Sequence, residues 1–104
     1  MKRKRYKVEF TQLFQSDLMR AADYITDVLE NADAALQLIE DTEAAIYKRA
    51  EYAESLEPYP GSRHRKHPYY RIYVHHYTVF YVVIGDVMEV RRFLYSASDL
   101  PEYL

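Results

Sequence analysis

The chain has 104 residues, a formal net charge of −2 at pH 7 and no cysteine. This length suits one hydrophobic core, and we expect residues 1–104 to form a single domain. A hydrophobic share of 49% beside 29% charged residues argues against wholesale disorder. The absence of cysteine excludes disulfides, thiolate metal ligands and cysteine nucleophiles. Because no run of 18 apolar residues occurs, we expect a cytoplasmic protein without a membrane span.

The small net charge conceals a strong separation of charge along the chain. Residues 15–57 contain eleven acidic and three basic residues, whereas the first ten residues contain five bases and one acid. Residues 62–77 contain four bases, all four histidines and no acid. This distribution predicts a dipolar molecule with one acidic and one basic surface, and a simple pair of solvated faces is the alternative.

The first half of the chain predicts one strand and two helices. Alternating residues predict a strand over Arg3–Phe10, and Thr11 is a suitable N-cap for the first helix. Asn31 interrupts the helical pattern, and we expect a second helix from there to about Leu56. The prolines and the glycine of residues 58–61 end the helical region. The inner faces of the two helices are predicted to carry Phe14, Leu18, Ala21, Ile25, Val28 and Leu29, and then Ala35, Leu38, Ile39, Thr42, Ile46, Ala53 and Leu56.

The second half predicts three strands joined by tight turns. We expect the strands over Tyr69–Val74, Tyr77–Ile84 and Val87–Tyr95, because these segments are rich in β-branched and aromatic residues. Two-residue turns separate them, and residues 96–104 form a short tail that is expected to turn helically. The resulting order is β-α-α-β-β-β. It predicts an α+β fold in which a helical hairpin packs on a small antiparallel sheet.

Familiar catalytic and metal-binding patterns do not occur in the sequence. The four histidines lack the spacing and the further ligands that zinc requires, so we predict no metal site and no cofactor. No serine stands in a Gly-x-Ser-x-Gly elbow, and no glycine-rich phosphate loop is present. Carboxylates on the predicted helices fit a solvated face better than acid–base catalysis.

Tyrosines crowd the predicted sheet among basic residues, and the chain has twelve tyrosines in all. Cations that hold phosphates beside rings that stack on bases are the ingredients of an RNA-binding surface. Tyrosine and arginine are equally favoured at protein interfaces, and tyrosines on strands also fill cores. On composition alone, these last two uses outweigh nucleic-acid contact. The residues concerned are Tyr69, Tyr70, Tyr73, Tyr77, Tyr81 and Tyr95, with Arg63, Arg65, Lys66, Arg71, Arg91 and Arg92.

Three stretches carry the pattern of a known family. Ser16–Ile25 contains an Asp-Leu pair followed by Tyr-Ile, as in the first helix of that family. Tyr70–Tyr81 and Val90–Leu100 are similar to its strand block and to its closing Arg-x-x-His-Gly-x-Arg-Asp segment. Together these stretches resemble the RelE/ParE superfamily of toxins from type II toxin–antitoxin systems, and the ParE-like members most. The likeness covers nearly the whole chain.

The resemblance implies a cytoplasmic toxin of the plasmid-stabilisation kind that inhibits growth and is neutralised by a cognate antitoxin. ParE-like members inhibit DNA gyrase, whereas RelE-like members cleave messenger RNA on the ribosome. For this chain we expect a ParE-like toxin that acts by binding its target, gyrase first. A RelE-like endoribonuclease and an inactive relic that keeps antitoxin binding are the alternatives. Sequence-specific DNA binding by this chain alone is not expected.

Two positions depart from the pattern of the ribonucleases. Arg71 falls where RelE-like enzymes keep a lysine, but Thr78 and Ser98 fall where they keep arginines. Losing one electrostatic partner of this kind typically lowers a rate by about 10²–10³. Enzymatic activity is therefore disfavoured. If the chain does cleave RNA, the predicted catalytic cluster is Arg65, Lys66, Arg71, His75 and Tyr77.

A basic, tyrosine-rich surface is the predicted contact for the target or the antitoxin. We expect an acidic segment of the antitoxin to wrap the toxin and to bury apolar surface. The predicted members of this surface are Arg63, Arg65, Lys66, Arg71, Tyr73, Arg92 and Tyr95.

Overall fold

Four strands form one sheet, and two helices cover one of its faces. A computed structural model describes residues 5–62, 65–98 and 104 of the chain. The elements are β1 (Lys7–Phe10), α1 (Gln12–Asp27), α2 (Ala32–Arg49), β2 (Tyr70–Val74), β3 (Tyr77–Ile84) and β4 (Val87–Tyr95). The predicted β-α-α-β-β-β order and the α+β fold class are confirmed. In the described part of the chain, neither helix is long and apolar enough to cross a membrane.

The sheet is mixed, which corrects the expectation of a purely antiparallel sheet. The strand order is β1-β4-β3-β2, and the β2–β3 and β3–β4 pairs are antiparallel. β1 instead runs parallel to β4, with Lys7 opposite Val87 and Phe10 opposite Val90. The hairpin strands must be antiparallel because two-residue turns join them. β1 has no such constraint, since both helices separate it from the other strands along the chain.

Both hairpin turns begin with a residue in the left-handed backbone region. Gly85 has a φ of 64° and His75 a φ of 54°. Glycine adopts this conformation freely, whereas a histidine there is uncommon. The His75 ring is fixed by a contact with α2, because its Nε2 lies 2.7 Å from Oδ2 of Asp41. This contact ties the β2–β3 turn to the helical layer.

The strand bounds agree closely with the sequence pattern. β3 and β4 have the predicted limits, and β2 begins one residue late at Tyr70. β1 begins at Lys7 and not at Arg3, which lies outside the described residues. After β4 the chain turns, and the N–H of Ser98 donates to the carbonyl of Tyr95 at 3.0 Å. The rest of the predicted helical tail, apart from residue 104, lies outside the described residues.

The first helix has the predicted start and a shorter inner face than predicted. Oγ1 of Thr11 accepts the N–H of Phe14 at 3.1 Å, as an N-cap does. α1 ends at Asp27, before the last two residues of its predicted apolar stripe. Val28 and Leu29 are therefore 61% and 56% exposed, which corrects their assignment to the core.

The second helix ends at Arg49, well before the predicted end near Leu56. A tertiary contact accounts for the difference, because the carbonyl of Ala50 accepts the N–H of Tyr6 at 3.0 Å. In a continued helix that carbonyl would accept the N–H of residue 54 instead. Residues 51–56 form turns instead, and Leu56 is 44% exposed. A backbone contact from Tyr6, the residue before β1, thus overrides a favourable helical pattern.

The main core lies between the helices and the sheet. α1 and α2 contribute Phe14, Ala21, Leu38 and Ile46, and the strands contribute Ile72, Val79, Tyr81, Met88, Val90 and Phe93. A second, smaller cluster covers the opposite face of the sheet, which we term the outer face. It contains Tyr69, Phe80, Val82 and Leu94, with Tyr59 and Leu104 packed against it.

A buried carboxylate holds α1 against the free edge of β4. β1 covers that edge only as far as Val90, so the backbone N–H groups beyond it need other partners. Oδ2 of Asp17 accepts the N–H of Phe93 at 3.0 Å and the Nε–H of Arg92 at 2.7 Å. Oδ1 accepts a second hydrogen bond from Arg92 at 3.1 Å. With its side chain 1% exposed, Asp17 makes a bidentate ion pair and caps a strand edge at once.

Replacing Asp17 with alanine should strongly destabilise the fold. The change removes the buried carboxylate that accepts from the Arg92 guanidinium and from the N–H of Phe93, and breaking such a buried pair costs about 3–5 kcal/mol. Urea unfolding of Asp17→Ala measures this loss. Asp23→Ala, an exposed acid on the same helix, should change the free energy of unfolding by no more than about 0.5 kcal/mol. Equal stability of the two variants would contradict the role assigned to Asp17.

Candidate functional site

A groove of about 750 Å³ lies between α1, the β2–β3 turn and the end of β4. It runs past the Asp17–Arg92 pair, so the contact that holds α1 in place also forms part of the groove. A volume of several hundred Å³ is typical of sites that receive a ligand or a side-chain cluster. The apolar and aromatic walls are formed by Tyr24, Ile25, Leu29, Tyr77, Phe93 and Tyr95, and the basic side chains are Arg20, His76 and Arg92.

The walls of the groove present large apolar side chains to solvent. Tyr24 is 52% exposed, Leu29 56% and Tyr95 51%. These residues come from the helix, from the turn after it and from the end of β4, and they converge on one groove. Clustered exposed apolar residues of this kind mark interaction sites, whereas single ones do not. The groove is therefore the principal candidate binding site.

The groove carries positive charge. Among the described residues that line it, Asp17 is the one acid, and its carboxylate is buried and engaged by Arg92 at 2.7 Å. Arg20 lies 3.6 Å from the same carboxylate but is 75% exposed, so its charge faces solvent. A partner that fits this groove combines apolar side chains with acidic ones.

Tyr77 packs in the floor of the groove between two rings. Its ring stacks on that of Phe93 with centroids 4.7 Å apart, and Tyr95 meets it edge-on at 5.7 Å. Burial, together with the nearby hydroxyls of Tyr95 and Tyr24, raises the pKa of Tyr77 above its usual value. Tyr77 therefore stays neutral at physiological pH, where it can donate a hydrogen bond but is a poor proton acceptor.

A second cluster of basic and aromatic side chains lies on the outer face. The Arg71 guanidinium stacks 5.1 Å above the ring of Tyr59 and 5.7 Å above that of Tyr73. Arg71 and Phe80 are opposite each other on β2 and β3, and Tyr59 meets Phe80 edge-on at 5.2 Å. Tyr73 is 65% exposed, more than any other large apolar or aromatic side chain among the described residues.

The loop before β2 adds further basic residues to this face. Arg65 stacks 5.2 Å above the ring of Tyr69, which itself packs against Phe80. The hydroxyl of Ser62 folds the loop, since it donates to the carbonyl of Tyr59 at 2.6 Å and accepts the N–H of Tyr69 at 3.1 Å. A buried serine thus brings two tyrosine rings onto the sheet, and these rings position the arginines.

The predicted contact residues divide between the two surfaces. Arg92 and Tyr95 line the groove, although Arg92 is largely taken up by Asp17. Arg65, Lys66, Arg71 and Tyr73 lie in the loop and on the strand of the outer face, and Arg63 lies outside the described residues. The single basic surface expected from the sequence is therefore two surfaces in the described part of the chain.

The residues proposed for a ribonuclease do not gather at one place. Arg71 stacks on Tyr59 at the outer face, whereas Tyr77 belongs to the groove. The His75 ring contacts Asp41 on α2, and this hydrogen bond lowers the pKa of the Asp41 carboxyl. RNA cleavage needs a base, an acid and cations around one phosphate. These groups would therefore have to lie on a common surface.

The two positions that lack the ribonuclease arginines have opposite environments. Thr78 is fully buried, and its hydroxyl lies 2.7 Å from that of Ser96. Ser98 is exposed and lines the groove. An arginine would fit at position 98, whereas at position 78 it would clash with the packed side chains. Within the described residues, no group of three or more His, Asp or Glu side chains could hold a metal ion.

Several residues of the two surfaces are not singled out by the sequence pattern. Tyr24 belongs to the family-like stretch of the first helix but lies off its apolar stripe. The sequence pattern predicts Leu29 in the core, because its spacing continues the helical pattern past the true end of α1. Tyr59 stands in the proline-rich loop, where no periodicity indicates a partner. For Tyr24, the available signal in the sequence is a tyrosine beside the apolar stripe of the first helix.

The comparisons with known proteins agree with this fold. The family model of the ParE toxin of the type II toxin–antitoxin system, parDE, matches residues 8–100. The chain belongs to this family. A solved structure, the chromosomal ParDE TA system from P. aeruginosa, superposes with a TM-score of 0.71 at 16% identity, covering 86% of this chain and 95% of that chain. At this identity the likeness concerns the fold alone. No curated protein matches the sequence.

The ParE assignment confirms the family resemblance of the sequence and its preference for the ParE-like branch. The match includes α1, both hairpins and the segment after β4, so the groove and most of the outer face lie within the family domain. The chain is therefore a toxin-family member of a type II toxin–antitoxin system.

Introducing arginine should lower stability at one of the two ribonuclease positions and leave it nearly unchanged at the other. Thr78→Arg forces a long charged side chain into a filled site and removes the contact with Ser96, so the free energy of unfolding should fall by about 2 kcal/mol or more. Ser98→Arg should change it by no more than about 0.5 kcal/mol. Thermal or urea unfolding measures both. A stable Thr78→Arg protein would show that this position is not closed to arginine.

Proposed function

We propose that this ParE family member is a cytoplasmic toxin that inhibits DNA gyrase by binding it and is neutralised by an antitoxin encoded beside it. The family assignment supports the toxin role. The structural observation that chiefly supports binding over catalysis is the groove at α1 with its exposed Tyr24, Leu29 and Tyr95. It has the character of a protein interface, since aromatic side chains dominate binding energy there.

The candidate ribonuclease residues lie far apart in the fold, which also favours binding over catalysis. His75 contacts α2, Tyr77 lies in the groove and Arg71 lies on the outer face. Phosphodiester cleavage requires proton transfer and charge stabilisation at one phosphate. The residues proposed for cleavage do not offer both at one point, so a RelE-like reaction through them has no specific support here.

The antitoxin is proposed to bind through an amphipathic acidic segment in the groove. Tyr24 and Leu29 offer apolar contacts, and Arg20 offers an exposed cation at the rim. A helix with apolar residues at i, i+3 and i+4 and with acids beside them matches both features. Its apolar side chains would bury the exposed rings, and its acids would lie close to Arg20 and His76.

Purified protein should inhibit the supercoiling of relaxed plasmid by gyrase. Because the inhibition arises from binding, it should saturate with toxin concentration and be prevented by prior mixing with the antitoxin. Relaxation of the same plasmid by topoisomerase I is the control and should be unaffected. Undiminished supercoiling at a large molar excess of toxin would contradict the proposal. Cleavage of a translating message in a toeprinting assay would favour the ribonuclease alternative instead.

Introducing a negative charge into the groove should weaken antitoxin binding. Tyr24→Glu removes an exposed ring and repels acidic side chains, so the dissociation constant should rise by about 30-fold, equivalent to about 2 kcal/mol. Met19→Glu is the matched control, since Met19 is 57% exposed on the same helix outside the groove. Titration calorimetry with purified antitoxin measures both variants. A similar loss in both would place the antitoxin elsewhere.

A further inference from the structure

The connection between α1 and α2 exposes three large apolar side chains. Val28 is 61% exposed, Leu29 56% and Tyr24 52%. The N–H groups of Val28 and Leu29 both donate to the carbonyl of Tyr24, at 2.9 and 3.3 Å, so the three residues lie together. Clustered apolar side chains that face solvent mark interaction sites. We term residues 23–33 the hairpin tip.

Acidic side chains border the apolar residues of the hairpin tip. Asp23, Asp27 and Glu30 are exposed, and no basic residue stands between Arg20 and Lys48 in the sequence. Within the described part of the chain, these three carboxylates make no ion pair and accept no hydrogen bond. The hairpin tip is therefore an apolar surface with an unpaired acidic border.

The basic segments of the chain enter the fold away from the hairpin tip. The N–H of Tyr6 donates to the carbonyl of Ala50, at the C-terminal end of α2. The hairpin tip lies at the N-terminal end of that helix, and a helix of 18 residues is about 27 Å long. The loop before β2 packs its tyrosines on the outer face, on the side of the sheet opposite the helices.

The acids of the hairpin tip stand where they oppose the stability of α1. Asp27 is the last residue of α1, and no basic residue stands in the last turn of this helix. The C-terminal end of a helix carries partial negative charge, so an acid there is unfavourable. Asp23 and Asp27 are four residues apart, a spacing at which like charges repel each other. Stability does not account for these charges, whereas binding surfaces commonly keep residues that cost stability.

We propose that the hairpin tip is the surface through which the toxin contacts gyrase, and that it docks on a basic surface of that enzyme. The inference rests on the proposed function, which supplies the target. An apolar centre with a charged border has the anatomy of a protein interface, and its acids require a partner of opposite charge. An enzyme that holds DNA offers basic surfaces, since it must contact phosphates.

The antitoxin is the less suitable occupant of the hairpin tip. An acidic segment would be repelled by Asp23 and Asp27, whereas the groove offers it the exposed Arg20. Tyr24 and Leu29 nevertheless belong to both surfaces, because they also line the groove. An antitoxin seated in the groove would cover these two side chains. Neutralisation then follows from competition between antitoxin and gyrase for the same residues.

Surface plasmon resonance with immobilised gyrase holoenzyme tests the inference without DNA. Asp27→Asn/Glu30→Gln should raise the dissociation constant for gyrase by about 5-fold to 10-fold, mainly through slower association. This loss should shrink as salt rises, since salt screens exposed charges. The matched control is Glu40→Gln/Glu43→Gln, which removes two exposed acids further along α2. It should keep the dissociation constant within about 2-fold of that of the intact protein.

Two further measurements separate a lost contact from a folding defect. Asp27→Asn alone should weaken gyrase binding and yet raise the unfolding midpoint by about 1–4 °C, because it removes an unfavourable charge from the helix end. Val28→Ser should lower the affinity for gyrase by about 3-fold to 5-fold. The same change should leave the affinity for the antitoxin unaltered, since Val28 does not line the groove.

The outcomes distinguish this inference from the gyrase proposal itself. If the intact protein binds gyrase and the Asp27/Glu30 variant binds as tightly as the Glu40/Glu43 control, the inference is overturned and the gyrase proposal stands. If the intact protein does not bind gyrase, both are removed. Binding of the preformed toxin–antitoxin complex to gyrase as tightly as the free toxin would overturn the inferred competition.

Discussion

The contact between Asp17 and the edge of β4 connects the helical layer to the sheet. β1 is only four residues long, so half of that edge would otherwise be left without hydrogen-bond partners. One carboxylate accepts hydrogen bonds from the Phe93 N–H and from the Arg92 guanidinium, and it thereby anchors α1 to this edge. The groove opens beside the same pair. The proposed binding site therefore depends on the interaction that stabilises the fold.

The strands were predictable from sequence because their signals are local. The side chains of β3 and β4 alternate between the main core and the outer face, and two-residue turns separate the strands. The errors came from long-range contacts. Pairing of Tyr6 with the carbonyl of Ala50 ends α2 early, and β1 pairs in parallel with β4, which no short window of sequence indicates. The burial of Asp17 was missed for the same reason, since its partners lie 75 and 76 residues away.

The candidate sites were predictable in composition but not in arrangement. The sequence indicated basic residues among tyrosines, and Arg65, Arg71 and Tyr73 do meet on one face. It did not indicate that Arg92 is held by a buried acid, nor that Tyr24 and Tyr95 close a separate groove. Charge along the chain predicts a dipole, whereas the division of the charge between two surfaces is decided by strand pairing and loop folding.

We propose that this toxin-family member acts by binding gyrase and that it does not cut RNA. Following both plasmid topology and message integrity in cells after induced expression tests it most directly. The account predicts that reporter plasmids lose negative supercoiling while messages stay full length. Messages cut within their reading frames, with plasmid topology unchanged, would contradict the account.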